Sequence, residues 1–268
     1  MYEAYWGLSE PPFDNSPNPK FLYLSPEHEE ALVRMIYAVR QRKGCAMLTG
    51  EYGCGKTTLS RALIQRLEAE RYDVSLLNNP GWNALEFLSE ILYELGTPTD
   101  EKTRPELLHR LNELFFRNYR EGRDTVIIVD EAQLIADDGV FEELRLLMNF
   151  QTDDRFLVTI LLIGSPELTP KVRRLKHLDQ RIAIRYHLNT LDDAHTANYI
   201  AHRLKMAGRS EQIFTEEAIK LVFDFTRGTP REINNLCDIA LLVGCSKQIR
   251  VIDEKVIAAV IKDMVGVS

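Results

Sequence analysis

The sequence predicts a parallel α/β domain followed by a small all-helical domain. Short apolar segments of strand length alternate with amphipathic helical segments as far as Leu188, which is typical of a parallel sheet between helices. After Leu188 only helical periodicity continues. A glycine-rich segment joins the first strand to the next helix, as in phosphate-binding α/β folds. We therefore predict a sheet domain over 1–190 and a helical lid domain over 191–268.

The first 24 residues are rich in proline and aromatic side chains, and we predict an extended segment held in place by its rings. The prolines are expected to rule out a regular helix there. Ser25, Pro26 and Glu27 are typical of a helix start, with a hydroxyl cap, a proline at the first position and an acid in the first turn. This helix is expected to reach about Gln41.

The remaining elements follow from hydrophobic periodicity and turn residues. Strands are predicted at 45–49, 73–78, 125–129, 156–163 and 182–188. Helices of the first domain are predicted at 57–67, 84–95, 104–119, 140–150 and 168–176. Those of the second are predicted at 192–207, 215–226, 230–245 and 253–264. Thr229, Pro230 and Glu232 predict a capping box at the start of the helix over 230–245.

The composition is that of an ordinary soluble protein, with 45% hydrophobic and 27% charged residues in a chain of 268. No apolar run reaches about 18 residues, so we expect no membrane-spanning helix. The N-terminus lacks the basic and apolar regions of a signal peptide. Four cysteines without a C-x-x-C motif favour free thiols in the cytosol. The net charge of −7 argues against a large nucleic-acid surface, but a local basic patch is compatible with it.

The glycine-rich segment matches the phosphate-binding pattern G-x-x-x-x-G-K-[ST]. Glycines let successive backbone N–H groups turn toward one anion, and the following helix N-terminus favours negative charge. Lys56 is predicted to place its charge on the β- and γ-phosphates of ATP, and the Thr57 hydroxyl is predicted to ligate Mg²⁺. The predicted nucleotide-binding residues are Gly50, Glu51, Tyr52, Gly53, Cys54, Gly55, Lys56, Thr57 and Thr58.

Two carboxylates follow the apolar strand over 126–129, and strand ends of this kind face the ligand crevice of a parallel sheet. Asp130 is predicted to reach the Mg²⁺ region, and Glu131 is the natural general base for water attacking the γ-phosphate. The alternative is a solvated acidic pair. Ser165, at the end of a later strand, is a candidate to bond the γ-phosphate or the water, and a helix-capping serine is the alternative.

Arginines supply the other candidates. Arg231, in the first turn of a lid helix, is predicted to clamp the phosphates, with a surface arginine as the alternative. The region 171–181 is basic through Lys171, Arg173, Arg174, Lys176 and Arg181. Such a stretch is usually a solvated face. It also fits a finger, Arg181, inserted into a neighbouring subunit's ATP site, or a contact to nucleic-acid phosphates.

Taken together, these residues resemble an AAA+ ATPase, and more narrowly the ExeA/GspA-type ATPases of the general secretion pathway with their relatives in pilus and exopolysaccharide loci. The resemblance covers nearly the whole chain. Its most specific stretches are Glu142-Glu143-Leu144-Arg145 and Thr229-Pro230-Arg231-Glu232-Ile233-Asn234. It also includes Tyr5-Trp6-Gly7-Leu8, Ser25-Pro26-Glu27-His28, Asp130-Glu131-Ala132-Gln133, Gly164-Ser165-Pro166-Glu167-Leu168 and Gln180-Arg181-Ile182.

The resemblance implies roles for single residues. Asp130 and Glu131 would be the Mg²⁺-site acid and the base, Arg181 a finger acting in trans, and Arg231 the second sensor. Ser165 falls near the first sensor position, where relatives often carry Gln. Asn79, or its neighbour Asn78, resembles the polar residue that restrains the glutamate, and residues 21–24 would contribute to the adenine pocket.

The expected function is therefore Mg²⁺-dependent hydrolysis of ATP to ADP by an ATP-dependent homo-oligomer that assembles an envelope secretion or pilus system. We expect a cytoplasmic protein, either free or peripheral to the inner membrane. Longer ExeA-type proteins carry a transmembrane helix and a periplasmic domain, so this sequence is expected to be part of a longer protein or a shorter relative. The alternatives are a DNA-associated ATPase resembling transposition regulators and a nucleotide-dependent scaffold with little turnover.

Overall fold

The computed structural model describes residues 1–78 and 81–266, which include a parallel sheet of five strands. The strands are Cys45–Gly50 (β1), Tyr72–Leu77 (β2), Asp124–Val129 (β3), Val158–Gly164 (β4) and Ile182–Leu188 (β5). Their order is β2-β3-β4-β1-β5, so β1 lies between β4 and β5. Because all pairings are parallel, the carboxyl ends of the strands share one edge, as the sequence predicts.

Except for two short helices, Glu3–Trp6 and Lys176–Asp179, the helices agree with the sequence prediction to within a few residues at each end. In chain order they are Glu3–Trp6 (α1), Pro26–Arg40 (α2), Lys56–Arg66 (α3), Ala84–Glu94 (α4), Arg104–Arg120 (α5), Asp138–Leu147 (α6), Leu168–Arg174 (α7), Lys176–Asp179 (α8), Asp193–Met206 (α9), Glu216–Thr226 (α10), Pro230–Ser246 (α11) and Glu254–Gly266 (α12). The short α1 was not predicted. The first proline is Pro11, so nothing restrains residues 3–6 from a helical turn.

Backbone contacts divide the chain into two compact units. One, the sheet unit, comprises residues 29–51 and 59–188. The other, the helical unit, comprises residues 1–28, 52–58 and those from 189 onward. The sequence placed the N-terminal segment with the sheet, whereas its contacts here are with the helices near the C-terminus. A domain boundary at 190/191 stays a prediction.

The core of the sheet unit is built on strands that are buried on both faces. Every residue of β1 and β4 is buried, and so is all of β3 after Asp124. Runs of apolar, β-branched side chains favour such doubly covered parallel strands. Helices α4 and α5 pack against β2 and β3, and at the start of β3 Arg42 donates two hydrogen bonds to Asp124, at 2.7 and 3.0 Å.

The core of the helical unit includes the aromatic side chains of the N-terminal segment. Trp6 is buried, and its indole N–H donates to the Leu241 carbonyl at 2.9 Å. Phe13 contacts Phe214 edge-to-face, with ring centroids 6.1 Å apart. The Arg203 guanidinium donates to the carbonyls of Pro12 and Asp14, the latter at 2.5 Å. Burial of these rings, which stabilises by roughly 1.5–3 kcal/mol for each large apolar side chain, explains why this segment joins the helices.

The stretch Glu142-Glu143-Leu144-Arg145 lies in α6 and has a structural role. Glu143 is buried, and both its carboxylate oxygens accept from Arg104 at the start of α5, at 2.5 and 3.2 Å. This bond raises the pKa of Arg104 above its usual value. Glu142 and Arg145 form a two-bond ion pair on the outer face of the same helix. The motif therefore ties α6 to α5, where a buried carboxylate needs a charged partner.

None of the helices within the described residues combines the length and the apolar character needed to cross a bilayer. The four cysteines are all free thiols, as the sequence predicts, and Cys45, Cys54 and Cys237 are buried. Burial raises the pKa of Cys45 to about 12. The Cys45 thiol is therefore unreactive at neutral pH.

Candidate nucleotide site

The predicted phosphate loop connects β1 to α3, and the helix begins at Lys56. Gly53 and Gly55 have φ values of +79° and +101°, in the left-handed region that glycine adopts at little cost. A Cβ atom added at Gly53 would lie 2.6 Å from the Cβ of Arg231. The structure therefore requires glycine at position 53, which the motif leaves open, for two reasons: the backbone conformation and the close approach of α11.

Two carbonyl groups of this loop accept hydrogen bonds from other parts of the helical unit. The Gly53 carbonyl accepts from the backbone N–H of Arg231 at 3.2 Å. The Cys54 carbonyl lies 3.0 Å from Nε2 of His28, in the first turn of α2. His28 was not among the predicted site residues. Its only signal in the sequence was its place in the family stretch Ser25-Pro26-Glu27-His28.

The capping box predicted at Thr229 does not form. Thr229 does precede α11, with Pro230 at the first helical position, but its side chain makes no capping hydrogen bond. A capping box here would use the backbone N–H groups of Glu232 and Thr229, and the Thr229 N–H instead donates to the Thr226 carbonyl at 3.1 Å. The Arg231 side chain itself is exposed.

The charged and hydroxyl side chains of the loop lie in the first turn of α3. Lys56 is buried, with its ammonium 5.8 Å from the centroid of the Tyr52 ring and 3.9 Å from Sγ of Cys54. Thr57 and Thr58 follow it and are half-buried. A buried cation, hydroxyls and a helix N-terminus at one turn favour an anion. Phosphate groups fit this chemistry.

The predicted acidic pair follows β3 in the sheet unit. Asp130 is buried, and its Oδ1 accepts from the backbone N–H of Glu131 at 2.9 Å. Glu131 has a φ of +52°, the left-handed conformation that costs a non-glycine residue about 1–2 kcal/mol. Strain of this kind persists where surrounding contacts hold it. Its side chain is half-buried and can reach solvent.

Gln133 holds the Glu131 side chain, and sequence reasoning did not single it out. Its Nε2 donates to Oε2 of Glu131 at 2.6 Å, and its Oε1 accepts from the backbone N–H of Ser165 at 3.0 Å. Lys171 donates to the carbonyls of Gln133, at 2.9 Å, and of Ile135. The one available signal was its place in the Asp130–Gln133 stretch. Gln133 thus joins the acidic turn to the end of β4.

Ser165 is fully buried at the end of β4, and its hydroxyl donates to Glu167, two residues on. Its backbone N–H, rather than its hydroxyl, makes the contact to Gln133. The roles of first sensor and local cap both remain predictions. The geometry assigns the hydroxyl a local partner.

The other candidates are placed as follows. Arg181 precedes β5 and donates to Oδ1 of Asn149 at 2.7 Å. Lys171, one of the predicted basic residues, bonds the carbonyls after β3, whereas Arg173, Arg174 and Lys176 are exposed. Asn79 lies outside the described residues, and Asn78 is exposed at the end of β2. Within the N-terminal segment, the Tyr23 hydroxyl lies 3.0 Å from Nδ1 of His195.

These features define a nucleotide-binding protein of the AAA class. Residues 39–172, half of the chain, match the family described as "AAA domain", and the chain belongs to that family. It is 41% identical over 250 residues to general secretion pathway protein A of Aeromonas hydrophila, across 92% of this chain and 45% of that protein. The resemblance inferred from the sequence is confirmed.

A second curated relative is DNA polymerase III subunit gamma of Buchnera aphidicola subsp. Schizaphis graminum, 24% identical over 73% of this chain and 51% of that protein. The chain spans about half the length of these two relatives.

Solved structures share the fold. The ORC2 protein of Aeropyrum pernix, in ADPNP and ADP complexes, has a TM-score of 0.73 and 19% identity, across 95% of this chain and 71% of that chain. The RuvB Holliday junction branch migration motor of Thermotoga maritima has a TM-score of 0.59 and 17% identity, across 87% and 68%. At these identities the likeness shows the fold alone. It confirms the predicted parallel sheet with a helical region after it.

Proposed function

We propose that this protein binds and hydrolyses ATP, with the phosphate loop holding the triphosphate and the acidic turn activating water. The observation that carries the proposal is the conformation of the loop. Glycines at 53 and 55 are left-handed, the carbonyls of Gly53 and Cys54 are bonded to other elements, and Lys56 opens the helix. This is the arrangement that a phosphate chain needs from backbone donors.

The residues present fit a magnesium nucleotide. The glycine backbone leaves room for close approach, and Thr57 and Asp130 offer a hydroxyl and a carboxylate, the hard oxygen donors that Mg²⁺ takes beside phosphate oxygens. When bound, the metal neutralises charge that develops on the phosphates. Exposed Arg231, in the first turn of α11, is our candidate for a second cation near the phosphates.

Glu131 supplies the proposed general base. Water attacks the γ-phosphorus, its proton passes to the Glu131 carboxylate, and ADP leaves with the electron pair of the broken P–O bond. Gln133 donates to Oε2 of Glu131 and orients the carboxylate. We assign to the attacking water the lone pairs of the Glu131 carboxylate that do not accept from Gln133.

Lys56→Ala tests the binding site. The variant loses a positive charge in the loop, so we expect the rise in melting temperature on adding ATP and Mg²⁺ to disappear while the protein stays folded. Lys262→Ala removes an exposed lysine of α12 and serves as the matched control. Undiminished stabilisation of Lys56→Ala by ATP would exclude this loop as the site.

We further propose that hydrolysis needs two chains, with Arg181 of one completing the site of the next. Arg181 follows the basic helices α7 and α8, and its side chain is half-buried against Asn149. Such a cation offsets charge in the transition state, and its loss costs about 10³–10⁵-fold in rate. The proposed ring or filament is the form in which the protein would assemble an envelope secretion or pilus system, and the Aeromonas relative, named general secretion pathway protein A, supports the secretion role.

Three measurements test the trans arrangement. Activity per chain should rise with protein concentration, Arg181→Ala should bind ATP without hydrolysing it, and mixing Arg181→Ala with Glu131→Gln should restore part of the rate. Arg173→Ala is the control, because that arginine is exposed on α7. A rate per chain that stays flat with concentration, with no change in mass on adding ATP, would refute it.

A DNA-associated ATPase is the second candidate. Arg173, Arg174 and Lys176 are exposed close together in the sequence, and one curated relative is named as a DNA polymerase subunit. Binding to duplex DNA that weakens steeply with salt, and that is lost when all three are changed to alanine, would favour it. Absence of such binding at physiological ionic strength would favour the envelope function.

A further inference from the structure

His28 lies at the third position of α2 and is almost fully buried. The Ser25 hydroxyl oxygen accepts from the backbone N–H of His28 at 3.3 Å and lies 2.7 Å from its ring Nδ1. On the other side of the ring, Nε2 lies 3.0 Å from the Cys54 carbonyl oxygen. The imidazole thus joins the cap of α2 to the phosphate loop.

These partners determine where the ring carries its proton. A carbonyl oxygen only accepts, so Nε2 must be the N–H that donates to Cys54. Nδ1 then accepts from the Ser25 hydroxyl, which is the remaining way to satisfy both groups. Burial lowers the pKa of His28, an effect that the bond to Cys54 partly opposes, so the ring is neutral near pH 7. The neutral Nε2–H tautomer is the form that fits both neighbours.

A hydrogen bond that fixes a backbone carbonyl also fixes the direction of the N–H group of the following residue. All peptide bonds among the described residues are trans, so each carbonyl and the following N–H point in opposite directions. The Gly53 carbonyl points to the Arg231 backbone and the Cys54 carbonyl to His28. The N–H groups of Cys54 and Gly55 therefore point away from α11 and from α2.

Such anchoring matters because of the glycines on either side. Gly53 and Gly55 have access to many backbone conformations, so the peptide groups between them can rotate at little cost. Without anchors, ordering these peptides would be an entropic cost of nucleotide binding. The hydrogen bonds from Arg231 and His28 order these peptide groups already in the folded protein, before a nucleotide binds.

We propose that His28 is a positioning residue of the phosphate loop, whose Nε2–H holds the Cys54 carbonyl so that the Gly55 N–H is set toward the phosphates. This inference rests on the proposed function of the loop. The histidine touches no phosphate and acts through the backbone.

Binding of ATP and of inorganic tripolyphosphate separates this role from a merely structural one. His28→Phe keeps the ring and loses the donor, so we expect both ligands to bind about tenfold more weakly, close to the loss of one hydrogen bond. His28→Gln places an amide N–H where Nε2 was and should stay within about threefold of wild type. His109→Gln, at an exposed histidine of α5, is the control for the chemical change.

Ser25→Ala covers the case in which His28→Phe does not fold. It leaves the ring but removes the hydroxyl that fixes its tautomer, so affinity should fall by about threefold. If His28→Phe folds and binds tripolyphosphate with wild-type affinity, the inference is wrong. If only Ser25→Ala folds, wild-type affinity of that variant overturns the inference in the same way. Wild-type protein that binds neither ATP nor tripolyphosphate overturns the proposed function, and the inference with it.

Nitrogen-15 spectra of the imidazole rings give a readout that needs no nucleotide. One ring should show a protected Nε2–H and an unprotonated Nδ1 near pH 7, and its signals should vanish in His28→Gln. On adding tripolyphosphate this signal should persist, because the hydrogen bond is already formed. An Nδ1–H tautomer at His28, or a ring that exchanges freely with water, contradicts the proposal even if nucleotide binds.

Discussion

The phosphate loop and the acidic turn each follow a buried parallel strand, and each contains residues in the left-handed backbone conformation. The two segments differ in which residue types adopt that conformation. In the loop these residues are Gly53 and Gly55, and in the turn the residue is Glu131. The loop offers backbone N–H groups, so side chains there only obstruct. The turn offers a carboxylate, so glycine is excluded and the strain of a left-handed glutamate is tolerated. The chemistry of each segment therefore decides which residue occupies the strained position.

The two segments also differ in what holds them. Carbonyls of the loop accept from Arg231 and His28, members of the helical unit. The turn is held inside the sheet unit, where Gln133 binds the Glu131 carboxylate and the Ser165 backbone. Contacts to the loop fix where backbone donors point, whereas those to the turn fix one side chain. Perturbing the loop should therefore change affinity, and perturbing the turn should change the rate.

Three variants test this distinction, and Glu131→Gln is expected to have the largest effect on the rate. The amide oxygen can still accept from Gln133, so the turn should keep its shape, but the base is gone and the rate should fall by ~10²–10⁴-fold. ATP affinity, measured by thermal shift or titration, should stay near wild type. Glu70→Gln, at an exposed glutamate, is the control. Near-normal turnover would mean that another group is the base.

Gln133→Ala should have an intermediate effect. Loss of both amide bonds frees the Glu131 carboxylate, and misplacement of a reacting group by a fraction of an ångström lowers kcat by roughly tenfold. The dissociation constant for ATP should be unchanged, since the loop is not touched. Gln151→Ala removes an exposed glutamine of the same unit for comparison. A change in ATP affinity instead of kcat would contradict the assignment of binding to the loop and of the reaction rate to the turn.

Ser165→Ala should have the smallest effect. Gln133 is held by the backbone N–H of Ser165, which the variant retains, while the lost hydroxyl bonds only Glu167 among its described partners. We expect the free energy of unfolding to fall by about 1 kcal/mol and kcat to change less than about threefold. A tenfold loss of kcat without loss of stability would restore the hydroxyl as the first sensor.

The sequence by itself determined the parallel sheet, the helical region after it, the phosphate loop and the acidic pair. These features depend on neighbours along the chain: periodicity, helix starts and glycine spacing are properties of short segments. Lys56, Thr57, Asp130 and Glu131 could be proposed as site residues for the same reason, because each belongs to a contiguous motif.

The tertiary structure alone decided the contacts between distant residues. His28 and Cys54 are 26 positions apart, and Gln133 and Ser165 are 32 apart. The N-terminal aromatic segment joined the helices rather than the sheet, and the Arg231 N–H at the start of α11 donates to the Gly53 carbonyl. Local pattern could not show these outcomes, because a buried polar group takes whichever partner the packed chain brings within reach.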